Sequence, residues 1–371
     1  MAATERWPRL RAWWQALCGL LAIAPAGPAQ AVDLPADRAE ALLHVYDGGG
    51  TRATGPALLV RKGLGERVSL SGTLYVDLVS NASIDVVTTA SPYRETRTAL
   101  DLGVDVVLRD ALLKVSLGQS REPDYRARTL GLDVSQDFFG GMSTLALGFT
   151  RGADDVGKTG VSGFIDRATH WQYRVGLTQI LSPRWLASLN LEALADDGLL
   201  GNPYRVARVY GAAVPERLPR TRSARAWRLG TRADVERLGG VLKADWRHYR
   251  DTWGLRADTL ELGHGRSFGP RWTLETTLRL HRQKAALFYA DDAATETRFV
   301  TRNRQLGGFS SWGLGAKARR ELALGSGSAR WWLVGAYEFK RFDYRDFTDL
   351  RTGQAYAHNA HVLQLHLSSD F

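Results

Sequence analysis

The chain has 371 residues, a net charge of +10 and one cysteine, Cys18. That length suits two average domains or one large all-β unit, and a lone cysteine excludes an intramolecular disulfide. The basic balance comes without a basic stripe or nucleic-acid-binding motif, so nucleic acid is excluded as a partner in favour of anionic lipid surfaces or anionic solutes.

The first element is an export signal. Arg6, Arg9 and Arg11 precede an apolar run from Ala12 to Ala26, and Ala29-Gln30-Ala31 has the small-x-small pattern of a cleavage site. The run is shorter than the roughly 20 residues that span a bilayer, and Pro25 and Pro28 interrupt its end. Residues 1–31 therefore read as a Sec-type signal peptide, 32–40 as a periplasmic N-terminal extension, and 41–371 as the mature domain. Leu17 before Cys18 does not suit a lipoprotein site. Cleavage lowers the charge to +8 and removes the only thiol, so the mature chain offers no iron–sulfur or c-type haem ligation. No cofactor and no metal is expected.

Downstream, apolar residues recur at every second position, the signature of strands with one oily and one wet face. Ala41–Asp47 and Gly55–Lys62 flank the Gly48-Gly49-Gly50 turn. In Val68–Ser80 the apolar set is Val68, Leu70, Leu74, Val76 and Leu78. In Thr98–Leu108 it is Leu100, Leu102, Val104, Val106 and Leu108, with Asp101, Gly103 and Asp105 opposite. Similar segments follow at about 111–121, 127–137, 142–151, 167–180, 184–194, 222–234, 240–250, 256–266, 271–283, 308–319, 330–342 and 358–371. Each is near the ten residues that a tilted strand needs to cross a bilayer.

The connections alternate. Short ones fall at 109–110, 138–141, 181–184, 235–239, 267–270 and 321–329, and longer excursions at about 81–97, 122–126, 152–166, 195–221, 251–255, 284–307 and 343–357. This sorting predicts an all-β fold: a single antiparallel transmembrane barrel of sixteen strands, fourteen if the first hairpin is discounted, with short periplasmic turns and longer extracellular loops. Phe138, Phe139, Trp185, Phe268, Trp272, Trp331 and Trp332 flank the short turns, where an interfacial girdle is expected. The last segment places Leu363, Leu365, Leu367 and Phe371 on one parity. A barrel closed by it satisfies every backbone group that hydrocarbon cannot. Its terminal Phe371 resembles the signal read by the outer-membrane assembly machinery, an expected partner alongside outer-membrane lipid.

The parity opposite the leucines lists the expected lumen: Arg174, Glu192, Arg228, Arg232, Lys243, Asp245, Arg247, Glu275, Arg279, Glu338 and Lys340, joined by Gln172, Ser188, Asn190, Tyr249, Thr259, Glu261, Thr277 and His281. Either these charges line a water-filled conduit whose Arg and Lys excess favours anions, or they pair across strands and fill the interior. Catalytic signals are sparse. His170 beside Trp171, and the pairs Asp154-Asp155, Asp196-Asp197 and Asp291-Asp292, invite an acid–base or calcium reading. Neighbouring strand residues point to opposite faces, however, and acidic pairs in loops are commonly solvated turns.

The stretches SNASIDVVTTASPY (Ser80–Tyr93), SQDFFGGMSTLALGFTRG (Ser135–Gly152), GLLGNPYR (Gly198–Arg205) and DTWGLRADTLELG (Asp251–Gly263) resemble an uncharacterised family of Gram-negative outer-membrane β-barrels, the domain of unknown function thirty-five seventy. The resemblance covers about Ala41 to Phe371. It implies residence in the outer membrane and no known catalytic or ligand residues. Members are often encoded beside a small lipoprotein, a thioredoxin-like protein and a flavin-transferring enzyme, which implies an extracytoplasmic redox assembly with a periplasmic lipoprotein as partner. Asp85, Tyr93, Asn202 and Tyr204 in these stretches are loop candidates for a constriction or for packing over the barrel mouth.

The expectation is thus an outer-membrane barrel serving as conduit or docking shell without catalysis of its own. The alternatives are an outer-membrane enzyme on lipid or glycan, requiring His170 or His281 near a serine, and a structural barrel anchoring a periplasmic lipoprotein.

Overall fold

The computed structural model describes residues 33–81, 83, 93–161, 163–323 and 329–371. The signal peptide with Cys18, and Asp85, lie outside the described residues, as does the side chain of Tyr93. Nine strands come first: β1 Arg38–Gly48, β2 Thr51–Leu64, β3 Val68–Asn81, β4 Tyr93–Leu108, β5 Ala111–Arg121, β6 Tyr125–Phe138, β7 Ser143–Gly157, β8 Ile165–Ser182 and β9 Trp185–Gly198. After a small hairpin, β10 Val206–Val209 and β11 Ala212–Pro215, seven more follow: β12 Thr221–Val235, β13 Gly240–Asp251, β14 Arg256–Phe268, β15 Trp272–Lys284, β16 Phe309–Leu322, β17 Arg330–Asp349 and β18 Gln354–Asp370.

Every strand except β10 and β11 joins one closed antiparallel barrel of sixteen strands. Consecutive strands pair around the ring, and β1 closes it against β18, with Arg38 opposite Asp370 and Gly48 opposite Ala360. The first hairpin is therefore part of the wall, and the start of β1 and the end of β18 lie together at the short-turn end. No helix among the described residues is long and apolar enough to cross a membrane; crossing is left to the strands.

Several strands run past the expected boundaries at the long-loop end. β1 starts at Arg38, inside the stretch expected as an extension, and β17 and β18 leave only residues 350–353 between them. Asp154, Asp155, Asp196 and Asp197, expected in loops, lie on β7 and β9. The apolar alternation stops where lipid stops, whereas the backbone ladder continues because both faces there meet water or protein.

The leucine parity is the exposed one. Leu58, Leu102, Leu117, Leu314 and Leu363 are each more than half exposed. A soluble barrel of this composition would bury them; a lipid-facing belt leaves them outside. Phe139, Trp185, Phe268 and Trp272 stand exposed beside the short turns as the girdle expectation required. Trp332 does not: its neighbour Trp331 takes the outer parity, and Trp332 turns inward, 6 % exposed, beneath the Arg319 and Arg330 guanidinium groups at 4.5 and 5.5 Å. Two adjacent tryptophans on a strand cannot share a face.

Ion pairs that skip a strand identify the concave face, because only there do side chains two strands apart converge. Arg174 on β8 reaches Asp133 on β6 at 2.6 Å, passing over Gly148 of β7. Arg247 reaches Glu192 at 3.0 Å over Ala226, and Lys243 reaches Glu275 at 3.0 Å over Gly263. A small residue on the strand between is the requirement. A Cβ built on Gly148 would sit 2.5 Å from Asp133 Oδ1 and 2.7 Å from Arg174 Nε. Gly148→Val is expected to part this half-exposed pair and cost under about 1 kcal/mol, since both contacts are ends of movable side chains. Urea titration in lipid vesicles measures it, and a Gly148→Val, Arg174→Ala double variant should show no further loss from the valine.

Candidate functional site

Two long loops, 199–220 and 285–308, fold over the barrel mouth at the long-loop end. In the first, β10 and β11 form a hairpin whose tip, Tyr210-Gly211, has φ of 51° and 79° at its two central residues, the positive values that a two-residue hairpin demands. The second loop pairs with it: Arg217 and Val300 exchange backbone hydrogen bonds of 3.0 and 2.9 Å, and Ala293 N donates to Arg208 O at 3.0 Å. Ala207, Val209 and Val300 form the buried seam between them.

This strap is fastened to the wall in several places, including the Arg220 guanidinium that donates twice to Asp166 on β8 at 2.8 Å. Leu200 and Leu218 pack on Trp253, Leu255 and Ala257 at the β13–β14 turn, where the Trp253 indole donates to Thr221 O at 2.9 Å. Arg302 lies 4.2 Å over the Phe347 ring, donates to Thr348 O on β17, and pairs with Asp291 at 2.7 Å. Phe347 in turn sits in an aromatic cluster with Tyr344 and Tyr356. On the far side the Tyr204 hydroxyl donates to the Asp124 carboxylate on the β5–β6 turn and accepts from Thr159 N at 2.6 Å. Burial, with Asp124 adding to it, holds the Tyr204 phenol above its usual value.

Under the strap is a cavity of about 970 Å³. Its wall side carries Glu95, Glu122, Tyr125, Asp154, His170 and Asp196; its strap side carries Arg205 and Arg208, with Arg222 and Arg302 beside them. A second cavity of about 590 Å³ shares Leu200, Asn202, Arg205 and Arg222 with the first and continues toward Tyr249, Arg247 and His281 on the inner wall. Burial raises Glu122 above the ordinary carboxylate range, against the pull of Arg97.

His170 is the centre of the wall. Its Nδ1 lies 2.8 Å from Asp196 Oδ1 and its Nε2 3.0 Å from Asp154 Oδ2, and the Tyr125 hydroxyl donates to the same Asp154 carboxylate. Both nitrogens face carboxylates, so the ring donates twice and keeps no lone pair for a general base. Strand parity splits each acidic pair: Asp154 and Asp196 turn in to His170, while Asp155 turns out to Arg128 at 2.8 Å and Arg167 at 3.6 Å. In the strap, Asp291 serves Arg302 and Asp292 serves Arg208 at 3.4 Å. His281 Nδ1 pairs with Thr259 at 2.8 Å. Among the described residues neither histidine is hydrogen-bonded to a serine, the arrangement a hydrolase reading requires. Among the described residues no group of three His, Cys, Asp or Glu side chains is arranged to hold a metal ion.

The expected lumen residues all fall on the inner parity. Besides the pairs that skip a strand, Arg228 meets Asp245 at 2.9 Å and Lys340 meets Glu338 at 3.0 Å. Arg232 lies in register with Lys243, and Arg279 with Glu261. Asn202 accepts from Tyr204 N at 2.9 Å, which shapes the strap, and it also lines both cavities. The sequence offers His170, Asp154 and Asp196 as acid–base or calcium candidates without joining them in one cluster, and it gives no sign of Tyr125, Glu122 or Arg205. The available signal was parity: Asp154, His170 and Asp196 all occupy inner positions near the long-loop ends of three successive strands.

Residues 162–337 match the family described as "Protein of unknown function (DUF3570)", and the resemblance therefore holds over that segment, which contains GLLGNPYR and DTWGLRADTLELG but not the two earlier stretches. No curated protein matches the sequence. Among solved structures, a bacterial polysaccharide outer membrane secretin is similar in fold at 9 % identity and TM-score 0.50, over 91 % of this chain and 100 % of that one. The CymD monoaromatic hydrocarbon channel follows at 10 % identity and TM-score 0.44, over 91 % and 88 %. A Pseudomonas aeruginosa FadL homologue stands at 11 % identity and TM-score 0.43, over 91 % of each chain. The fold is that of outer-membrane barrels.

Proposed function

Proceeding from a closed barrel whose residues 162–337 match an uncharacterised family, we propose that the chain resides in the outer membrane of a Gram-negative bacterium and is a strap-gated conduit for small polar solutes. The long loops then face the exterior and the short turns the periplasm. The observation that carries this reading is the strap: it roofs a cavity of about 970 Å³ lined by charged groups and continuous with the inner wall. A purely structural shell needs no such chamber, and sixteen strands enclose more space than side chains alone fill. Catalysis is not part of the proposal, since His170 has both nitrogens committed.

Reconstitution of the mature chain in planar bilayers tests it. Stepwise conductance is the expected result, and a correctly folded, heat-modifiable sample that stays silent refutes the conduit. A docking role in a flavin- or thioredoxin-linked assembly, with a periplasmic lipoprotein as partner, draws support from the family resemblance alone. Copurification after gentle detergent extraction tests that role.

A further inference from the structure

Charge is distributed unevenly around the inner wall. On β3 to β7 the inner parity carries Asp77, Asp101, Asp105, Asp133, Asp137 and Asp154, among hydroxyl residues and glycines, with Arg97 and Lys114 as the basic residues there. On β12 to β17 it carries Arg222, Arg228, Arg232, Lys243, Arg247, Arg279, Lys317, Arg319, Arg330 and Lys340, partly offset by Asp234, Asp245, Asp251, Glu261, Glu275, Glu321 and Glu338. In the ring order these arcs stand opposite each other, separated by β8 and β9 on one side and by β18, β1 and β2 on the other. The basic excess that favours anions belongs to one arc only.

The chamber under the strap has its own two-sided charge. Glu95, Glu122, Asp124, Asp154 and Asp196 come from β4, the β5–β6 turn, β7 and β9, offset there by Arg94 and by His170 between the last two, and they share the chamber with Arg205, Arg208, Arg222 and Arg302 of the strap and β12. Arg205 makes no ion pair among the described residues, and Glu122 has only Arg97 at 3.9 Å, so charge of both signs is left for an occupant. Two walls of opposite sign, in a passage bounded by low-dielectric protein and lipid, set up a transverse field. A simple ion is drawn to one arc and repelled by the other. A molecule with its own separated charges is aligned and satisfied by both.

We propose that the conduit selects small zwitterionic solutes of the amino-acid type, which pass with the ammonium group toward the β3–β7 arc and the carboxylate toward the β12–β17 arc. This rests on the conduit reading and names its substrate class.

The test is uptake by proteoliposomes of free alanine and of lactamide, its uncharged isomer, each corrected for protein-free liposomes. Equal composition and near-equal size leave charge separation as the difference. Alanine is expected to enter severalfold faster than lactamide. A variant with Asp101→Asn, Asp133→Asn, Arg232→Gln and Arg279→Gln is expected to bring the ratio to about one. Equal rates in the unmodified barrel overturn the zwitterion inference while conductance upholds the conduit; absence of conductance removes both. Undiminished discrimination by the variant overturns the assignment of the field to these arcs.

Discussion

Leu365→Arg is expected to destabilise the barrel by about 2–4 kcal/mol, the cost of a guanidinium near the bilayer midplane on a lipid-facing strand position. Gln364→Arg, one residue away, is expected to cost less than about 1 kcal/mol because it adds a charge to a polar inner wall. Leu365 lies in register with Leu43 of β1 and Gly335 of β17, in the middle of the exposed run Leu363, Leu365 and Leu367. Gln364 is paired with His44 and Ala336 on the opposite parity. The comparison isolates the face, since strand, depth and incoming side chain are nearly constant. Equilibrium unfolding in phospholipid vesicles reads both. Equal losses, or a greater loss for Gln364→Arg, would mean that the oily side does not face hydrocarbon.

Replacing residues 201–217 by a short Gly-Ser turn is expected to raise single-channel conductance severalfold while the barrel still assembles. Assembly should survive because β9 and β12 are paired independently of the strap: Thr221 lies opposite Asp197, and Gly198 N donates to Arg220 O at 2.8 Å. What is lost is the roof, namely the backbone bonds to Val300, the Tyr204 tether to Asp124, and Arg205 in the chamber. Loop 285–308 keeps its hold on β17 through Arg302 and Thr348, so one half of the closure remains. Planar-bilayer recordings beside the intact chain measure the change. Unaltered conductance would place the narrowest point elsewhere and remove the strap from the gating proposal.

Much of the fold was written in local patterns. The Gly48-Gly49-Gly50 turn between two weakly alternating segments was enough to count sixteen strands rather than fourteen, and the alternation of short and long connections identified the two ends of the barrel. The inner position of Arg174, Arg228, Arg247 and Lys340 followed from the parity of their neighbours. These features were legible because period two is a property of a single strand, and lipid enforces it on every strand that crosses.

The site was less legible, for physical reasons that differ by residue. Asp154 and Asp155 look alike in the sequence, yet one is turned in to His170 and the other out to Arg128 and Arg167. Trp332 reads as a girdle residue until its parity is fixed by pairing with Glu321 and Ser368. The meeting of Arg174 with Asp133, or of Arg247 with Glu192, depends on register and on wall curvature, and neither is encoded within one segment. By itself the sequence therefore determined which residues alternate, how many strands there are, and which face is greasy, because hydrocarbon imposes those choices residue by residue. Only the tertiary structure decided how the long loops fold back over the mouth, which acids surround His170, and how charge divides between opposite arcs, because each requires closure of the ring to bring distant strands face to face.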